Sequence, residues 1–381
     1  MLGSMSCHKG TAEQLPTVGQ PGEKATEFLA ENGVTPELAA EMMKLAPANP
    51  FCTKSFTEAM SANGHQTWLL GTKRGGKLVA GCYGFISSGR LNRRLRILSL
   101  PDVPCEDVYW DGLMAFCSEH QIHHLELNNY PPLDTRIPPL PGQVERFMRS
   151  EYVLDLKDPE WERKLARNHR RNIQKALQNG VTLRRDSGPA ACREHVRLME
   201  VSLKRRRRQG DSASVPGGAK YQWSLSLLLT EKGIGELFQA VAGGQVLSST
   251  MVLRAAEGAH NYTAGSSPEG MQCGASHFLV HSVARLLRQE GMAVFNFGCA
   301  GESKVAEDRG LILFKMGFGA TPVPLEYACF YLGSDLRRNL TRAARPLRQC
   351  GSAFLRWIGA TGIGSQRHSG CLDWRVGSSR I

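Results

Sequence analysis

Residues 235–290 place the strongest constraint on what this chain can fold into. Three strand-like runs follow one another at residues 235–242, 245–255 and 259–265, and the Gly243-Gly244 pair is typical of a tight hairpin turn. An amphipathic helix is predicted directly afterwards, over residues 274–290, with its leucines and Val283 on one face. An antiparallel meander followed by a one-sided apolar helix indicates a mixed α/β (α+β) domain.

The chain is long enough for two such domains. It has 381 residues, 41% of them hydrophobic, which favours two cores over one. Residues 129–145 contain five prolines and little periodicity, so we place the boundary near Gly142. The predicted organisation is a disordered segment 1–22, a first domain 23–142, a second domain 143–333 and a basic tail 334–381. Both halves show helices, a meander, a helix and a strand in that order, but sequence identity is too low to prove a repeat.

Local signals predict several helix starts. Thr35 and Thr53 are placed to cap helices over residues 36–45 and 54–62. Asp158-Pro159 predicts the start of a further helix that ends at Gly180, with aspartate as N-cap and proline in the first turn. His169 continues the apolar row of that helix, and we expect it to be half-buried rather than catalytic.

The charge balance predicts an anionic partner. The chain has 47 basic and 35 acidic residues, a net charge of +12, which suits RNA, a nucleotide, a phosphorylated lipid or a membrane face. Cations cluster in the helix after Pro159 (Arg163, Lys164, Arg167, Arg170, Arg171, Lys175), in the run Lys204–Arg208 and in the tail (Arg337, Arg338, Arg342, Arg345, Arg348, Arg356). Each helix cluster is either an anion-binding face or a solvated one. The amphipathic tail suits an anionic bilayer, RNA or docking on the second domain.

Several classes of protein are disfavoured by missing motifs. The 11 cysteines form no C-x-x-C pair and no zinc-type cluster with histidine, which fits reduced thiols in a cytoplasmic protein without a metal. No window approaches 18 apolar residues, and no signal-peptide pattern is present. Hydrolase and P-loop signatures are also missing. We therefore expect catalysis, if any, to depend on positioning and electrostatics.

Lys315 stands in an unusual setting of aromatic residues and glycines, Phe314-Lys315-Met316-Gly317-Phe318-Gly319. A cation on an apolar platform costs desolvation energy unless an anion faces it, so Lys315 is a candidate anion or oxyanion ligand. Alternatively, Phe314 and Phe318 are core residues at i and i+4, and Lys315 snorkels to water. Spacing by itself favours the second interpretation.

The loop over residues 266–276 leads from a predicted strand straight into the helix at residue 274. The first turn of a helix offers unpaired N–H groups and a positive dipole end, so this loop is a candidate phosphate cradle. Glycine-rich strand-to-helix turns also arise for purely steric reasons, and the sequence does not separate the two interpretations.

Five blocks of sequence together resemble the FemABX-type aminoacyl transferases and their GNAT-like acyltransferase relatives. They are Arg170-Arg171-Asn172-Ile173-Gln174-Lys175-Ala176, Asn261-Tyr262-Thr263-Ala264-Gly265-Ser266, Gly274-Ala275-Ser276, Phe295-Asn296-Phe297-Gly298, and Gly310 with Phe314 to Gly319. The blocks occur in family order over about residues 150–332. The resemblance implies two tandem GNAT-like domains, each a twisted mixed sheet flanked by helices. It also implies transfer of an acyl or aminoacyl group, from acyl-CoA or aminoacyl-tRNA, onto an amine.

The resemblance also implies roles for individual residues. Lys315 would stabilise the tetrahedral oxyanion or a phosphate, with Tyr262 beside it as a second catalytic residue. Substrate-binding positions would be Arg208, Tyr221, Ser266, Arg171, Asn172, Phe314 and Phe318, and donor-binding positions would be Gly274, Ala275 and Ser276. Two features depart from the family: no helical-hairpin arm for tRNA is present, and the CoA pyrophosphate motif lacks both end residues at Met271–Ser276.

Two hypotheses follow from these observations. The first is a cytoplasmic transferase, peripheral at the inner membrane face, that acylates an amine of a peptidoglycan or other cell-envelope precursor without a tightly bound cofactor. Its partners would be anionic substrates such as a pyrophosphate-bearing precursor, tRNA or CoA, but not DNA. The second is a non-catalytic GNAT-fold protein that binds RNA or anionic lipid through its basic helices and tail.

Overall fold

A computed structural model describes residues 25–88, 92–103, 106–132, 135–208, 218–300 and 306–334. The predictions for residues 1–22 and for the tail beyond residue 334 lie outside these ranges.

The described residues of the first half of the chain form five strands and three helices. They are β1 (Thr26–Asn32), α1 (Pro36–Leu45), α2 (Lys54–Ala62), β2 (Gln66–Arg74), β3 (Lys77–Ser88), β4 (Arg93–Ile97), α3 (Glu106–Glu119) and β5 (His124–Asn128). The side chains of Thr35 and Thr53 accept hydrogen bonds from Leu38 N and Phe56 N, as their capping positions predict. A short 3₁₀ helix, Pro50–Cys52, precedes α2.

The second half forms seven strands and six helices within the described residues. They are β6 (Gln143–Asp155), α4 (Arg167–Gln178), β7 (Thr182–Asp186), α5 (Pro189–Arg208), α6 (Gly218–Glu231), β8 (Gly235–Ala242), β9 (Gln245–Arg254), β10 (Gly258–Ser266), α7 (Pro268–Gln272), α8 (Ala275–Gln289), β11 (Val294–Ala300), α9 (Ala306–Met316) and β12 (Thr321–Tyr331). The predicted meander is β8–β9–β10, and its helix is α8.

All described strands join one 12-stranded sheet, in the order β1-β2-β3-β4-β5-β12-β6-β11-β10-β9-β8-β7. Neighbouring strands are antiparallel except for β4–β5 and β10–β11, which are parallel. The last strand, β12, lies between β5 and β6 and pairs with both, while β6 also pairs with β11. The two halves of the sheet therefore meet where β5 of the first half pairs with β12 of the second half. The expected mixed α/β fold, with a large mixed sheet flanked by helices, is confirmed.

Helices cover both faces of the sheet. On one face, α1, α2 and α6 share a core with β3, whose Tyr83 and Phe85 point into it. The opposite face carries α3 above Cys82 and Ile86 of the same strand. Beneath α4 and α8 lies the core of the second half, which includes Phe295. Because the core of α1, α2 and α6 draws on both halves, the two halves pack directly against each other. The boundary near Gly142 falls between β5 and β6 and stays a prediction.

The helix expected to start at Pro159 is divided, and that prediction is wrong. Asp158 Oδ1 accepts from Glu160 N, but only a 3₁₀ turn, Trp161–Lys164, follows. The regular helix α4 begins at Arg167, where the N–H of Ala166 is bonded to Gly317 O. A tertiary hydrogen bond therefore fixes where α4 begins. No helix in the described part of the chain is long and apolar enough to span a bilayer.

Candidate functional site

The parallel pair β10–β11 opens into a gap. The two strands are in register only from Gly258–His260 against Val294–Asn296, and they separate beyond that point. A register shift at Asn261/Thr263 bends β10 against β9, and another shift follows Asn296 on β11. Beyond His260, β9 is the remaining strand partner of β10 among the described residues. Ser266, at the far end of β10, is bonded through its N–H and its C=O to the hydroxyl of Ser202 on α5, so the part of β10 without a strand partner on this side lies between His260 and Ser266.

Gly298 shapes the β11 side of this gap. Its φ of +71° is in the left-handed region, which favours glycine. The Asn296 side chain fixes this turn, because its Oδ1 accepts from Gly298 N at 2.8 Å while its Nδ2 donates to Glu151 Oε2 at 2.6 Å. One asparagine thus links the bulge in β11 to β6.

Lys315 projects from α9 onto the same turn. Its Nζ donates to Gly298 O at 2.8 Å and to Cys299 O at 2.7 Å, and it lies 5.6 Å from the centre of the Tyr152 ring. The residue is 6% exposed, and burial lowers the pKa of its ammonium to about 8. Described residues account for two of the three N–H donors.

A buried ion pair lies beside this turn on β6. Glu151 is 4% exposed, and its two carboxylate oxygens accept from Arg149 Nη1 and from Asn296 Nδ2. Arg149 also donates to the carbonyl of Asn129 at 2.8 Å. Buried charges are tolerated when they are paired and hydrogen-bonded in this way. The pair places one cation and one anion next to the mouth of the gap.

His260 occupies the point where β10 and β11 separate. It is packed among the rings of Phe51, at 5.1 Å, and Tyr130, at 5.7 Å. Burial lowers the pKa of His260 to about 4, so the imidazole is neutral at pH 7. Its buried Nδ1 has no hydrogen-bond partner among the described residues. His260 is therefore an unsatisfied polar group at the apex of the gap.

The predicted tyrosines lie on the same face as His260. Tyr262 packs against Phe51 with ring centres 6.3 Å apart, and burial raises the pKa of Tyr262 to about 12. Tyr221 on α6 is bonded to His65 at 3.1 Å and packs against the same core. Arg208 is the exposed last residue of α5, next to residues outside the described ranges. The structure thus brings Tyr262 close to His260.

The predicted donor loop is packed against α4. Gly274 has φ +81°, and a Cβ there would lie less than 3.0 Å from the carbonyl oxygen of Asn172. Ala275 is fully buried, and the hydroxyl of Ser276 is bonded to that of Ser266 at 2.8 Å. A phosphate at Gly274 would meet the α4 backbone, so the steric need for glycine is visible here. The donor-binding role of these residues stays a prediction.

Phe314 and Phe318 belong to an aromatic group with two histidines. The two phenylalanine rings are 5.1 Å apart, and His169 lies 4.6 Å from Phe318. His169 is almost fully buried rather than half-buried, and its Nε2–H donates to Phe314 O at 2.8 Å. Gly317 is required there, because a Cβ would overlap the His169 ring. Of the remaining predicted residues, Arg171 is exposed on α4.

Sequence reasoning missed Arg149, Glu151 and His260 as site residues. A signal was present for the first two, since an Arg-x-Glu pattern inside a strand puts both charges on one face. Asn296 was noticed only as part of a resembling block. No comparable signal marks His260. No group of three potential metal ligands occurs in the described part of the chain.

A parallel strand pair that parts beside a connecting helix, within a mixed sheet, defines a GNAT-type acyltransferase fold. Residues 163–304, which include β10, α8 and β11, match the family described as acetyltransferase (GNAT) domain. The matched region is a little over a third of the chain, so the similarity to this acetyltransferase family applies to the second half of the chain. Lys315 follows the matched region.

Solved structures share this fold at low sequence identity. FemX is 13% identical with a TM-score of 0.62, over 81% of this chain and 99% of that chain. A tandem GNAT protein from the clavulanic acid biosynthesis pathway is 12% identical with a TM-score of 0.52, over 81% and 99%. A conserved protein of unknown function from Bacteroides thetaiotaomicron is 10% identical with a TM-score of 0.51, over 77% and 95%. No curated protein matches the sequence.

Proposed function

We propose that this chain transfers an acyl or aminoacyl group from acyl-CoA or aminoacyl-tRNA onto an amine of a cell-envelope precursor such as a peptidoglycan intermediate. The observation that carries the proposal is the gap between β10 and β11, within the acetyltransferase-matched region, with the ammonium of Lys315 bonded to its rim. The FemX likeness supports the fold of such an enzyme, and the acceptor class is our inference.

The open edge of β10 suits a donor with amide groups in its arm. Such an arm can bind as an additional strand, because the edge of β10 that is turned away from β9 has no neighbouring strand beyond His260 among the described residues. That position brings the reactive carbonyl to the bulge that Gly298 forms. The remaining N–H of Lys315 then points to the oxygen on which negative charge develops.

The chemistry needs no metal in this scheme. The amine attacks the carbonyl carbon, a C–N bond forms, and the C–S bond of a thioester or the C–O bond of an aminoacyl ester breaks. The amine loses one proton overall, and the leaving thiolate or alkoxide gains one. Lys315 stabilises the tetrahedral oxyanion without changing its own protonation, while Tyr262 and Tyr221 line the acceptor side.

Labelled donors test this function directly. Purified full-length protein is incubated with radiolabelled aminoacyl-tRNA or with radiolabelled acetyl-CoA, each with candidate amine acceptors, and label in the acceptor is measured. We expect transfer from one donor class, and its loss in Lys315→Met. Binding of RNA or lipid without transfer from either donor would contradict the proposal and favour a non-catalytic GNAT-fold binder.

A further inference from the structure

The proposed reaction makes no use of the outer surface of α4. Four cations project from this helix, and all are exposed: Arg167, Arg170, Arg171 and Lys175. Among the described residues none of them forms an ion pair, whereas the preceding Arg163 and Lys164 are paired with Glu160 and Asp158. Unpaired like charges on one short helix repel each other, so the surface is suited to an anionic partner.

Two large apolar side chains are exposed on α9, whose C-terminal end meets the start of α4. Leu313 is 59% exposed and Met316 is 46% exposed, one helical turn apart on the outer side of α9. The residue that follows α9 is bonded to the residue that precedes α4, because Ala166 N donates to Gly317 O at 2.8 Å. Met316 precedes one bonded residue and Arg167 follows the other. The end of α9 that carries Met316 is therefore close to the end of α4 that carries Arg167.

The combination favours a lipid bilayer over a nucleic acid. RNA would pair with the cations but gives no reason for two large aliphatic side chains to stay exposed beside them. An interface of anionic headgroups and acyl chains satisfies both, since basic residues bind the headgroups while aliphatic ones enter the acyl boundary. We propose that the outer faces of α4 and α9 form a docking surface for an anionic lipid bilayer. This surface differs from the basic tail, which lies outside the described residues.

Docking there would have a spatial consequence. Lys315 projects from the inner side of α9 towards Gly298, whereas Leu313 and Met316 project from its outer side. One helix would then contact the bilayer and the rim of the gap at once. The docking proposal does not depend on the transferase activity, because its readout is binding alone.

Vesicle binding with matched variants tests the surface. Full-length protein is floated with vesicles of phosphatidylglycerol and phosphatidylcholine in equal parts, or of phosphatidylcholine only. The triple variant Arg167→Glu, Arg170→Glu, Arg171→Glu removes the charge of the surface. A control triple, Lys44→Glu, Lys77→Glu, Lys220→Glu, makes the same change in net charge at exposed lysines elsewhere.

We expect the wild-type protein to bind the anionic vesicles only, with roughly 100-fold weaker partitioning in the α4 triple, at about fivefold per cation. The control triple should lose much less. Leu313→Ser with Met316→Ser should weaken binding in high salt, whereas Met43→Ser with Leu45→Ser, an exposed apolar pair on α1, should not. Circular dichroism confirms that each variant is folded.

Three results would overturn the proposal. One is absence of wild-type binding to anionic vesicles, and another is equal loss in both triple variants. The third is binding of tRNA in a gel-shift assay that depends on the α4 cations while vesicle binding does not. Because transfer of label to an amine is measured separately, failure of this proposal leaves the proposed function standing, and the reverse is also true.

Discussion

Comparison of the wild-type protein with Lys315→Met should give two opposite pH trends. As the pH rises, the stability advantage of the wild-type protein should grow, while its transfer activity should fall. The substitution removes two hydrogen bonds from a charged donor to the carbonyls of Gly298 and Cys299. Each such bond is worth about 1.5–3 kcal/mol. It also removes the cost of burying an ammonium, about 3 kcal/mol for a pKa that falls from 10.5 to about 8. Near pH 7 the net loss of stability is therefore small, between about 0 and 3 kcal/mol.

The sign of the pH dependence follows from the lowered pKa. Between pH 8 and pH 10.5 the unfolded chain keeps the proton on Lys315 and the folded chain releases it, so the free energy of unfolding rises with pH. The wild-type protein should gain up to about 3 kcal/mol over Lys315→Met across this window. Urea unfolding at pH 7, 9 and 10 measures the difference. Lys77→Met, at an exposed hairpin, is the control and should show no such trend.

The transfer activity of the wild-type protein should fall over the pH range in which its stability rises. If the charged ammonium stabilises the oxyanion, transfer falls as pH rises through about 8, because Lys315 loses its proton in the folded protein. Hydroxylamine as acceptor avoids a change in the protonation of the nucleophile over this range. Transfer that rises through pH 8 would refute the electrostatic role and indicate a general base. A flat stability difference would refute the burial of the charge.

Two further predictions concern packing and charge at the site. Gly317→Ala should destabilise the protein by about 1–3 kcal/mol in thermal melts, because the new Cβ overlaps a histidine ring of α4. Gly310→Ala, inside α9, meets nothing within 4 Å and should be neutral or slightly stabilising, so equal losses would contradict the packing argument. Glu151→Gln should cost about 3 kcal/mol in urea unfolding, since it leaves the half-buried Arg149 without its anion. Glu194→Gln, which breaks a pair with the exposed Arg197, should change stability by less than about 1 kcal/mol, and a similar loss at both sites would refute the role of burial.

Elements with strong local signals were predictable from the sequence. Helices α1 and α2 follow their capping threonines, and β8 to β10 follow the hairpin glycines and the apolar runs. Strands β1 and β7 were not predicted, because each is short, carries charged residues and gains its place at a sheet edge by pairing with one neighbour. Helix α9 was not predicted, since Gly310 interrupts its pattern and Gly317 follows directly after its last residue.

The site was only partly predictable, for a related reason. Lys315 could be singled out by its residue type, but its acceptors lie 16 and 17 residues away, across a turn that only the folded strand shows. The bond between Asn296 and Glu151 spans 145 residues, so no local pattern indicates it. Long-range pairing of β6 with β11 brings these groups together, and periodicity does not report such pairing.

The position of β12 also sets the order in which the protein can be completed during synthesis. Residues 321–331 fill the seam between β5 and β6, which are made about 170 to 200 residues earlier. Until that last strand leaves the ribosome, both earlier strands present unpaired edges, which are templates for aggregation. A chain that stops before residue 321 therefore lacks the strand that pairs with both β5 and β6.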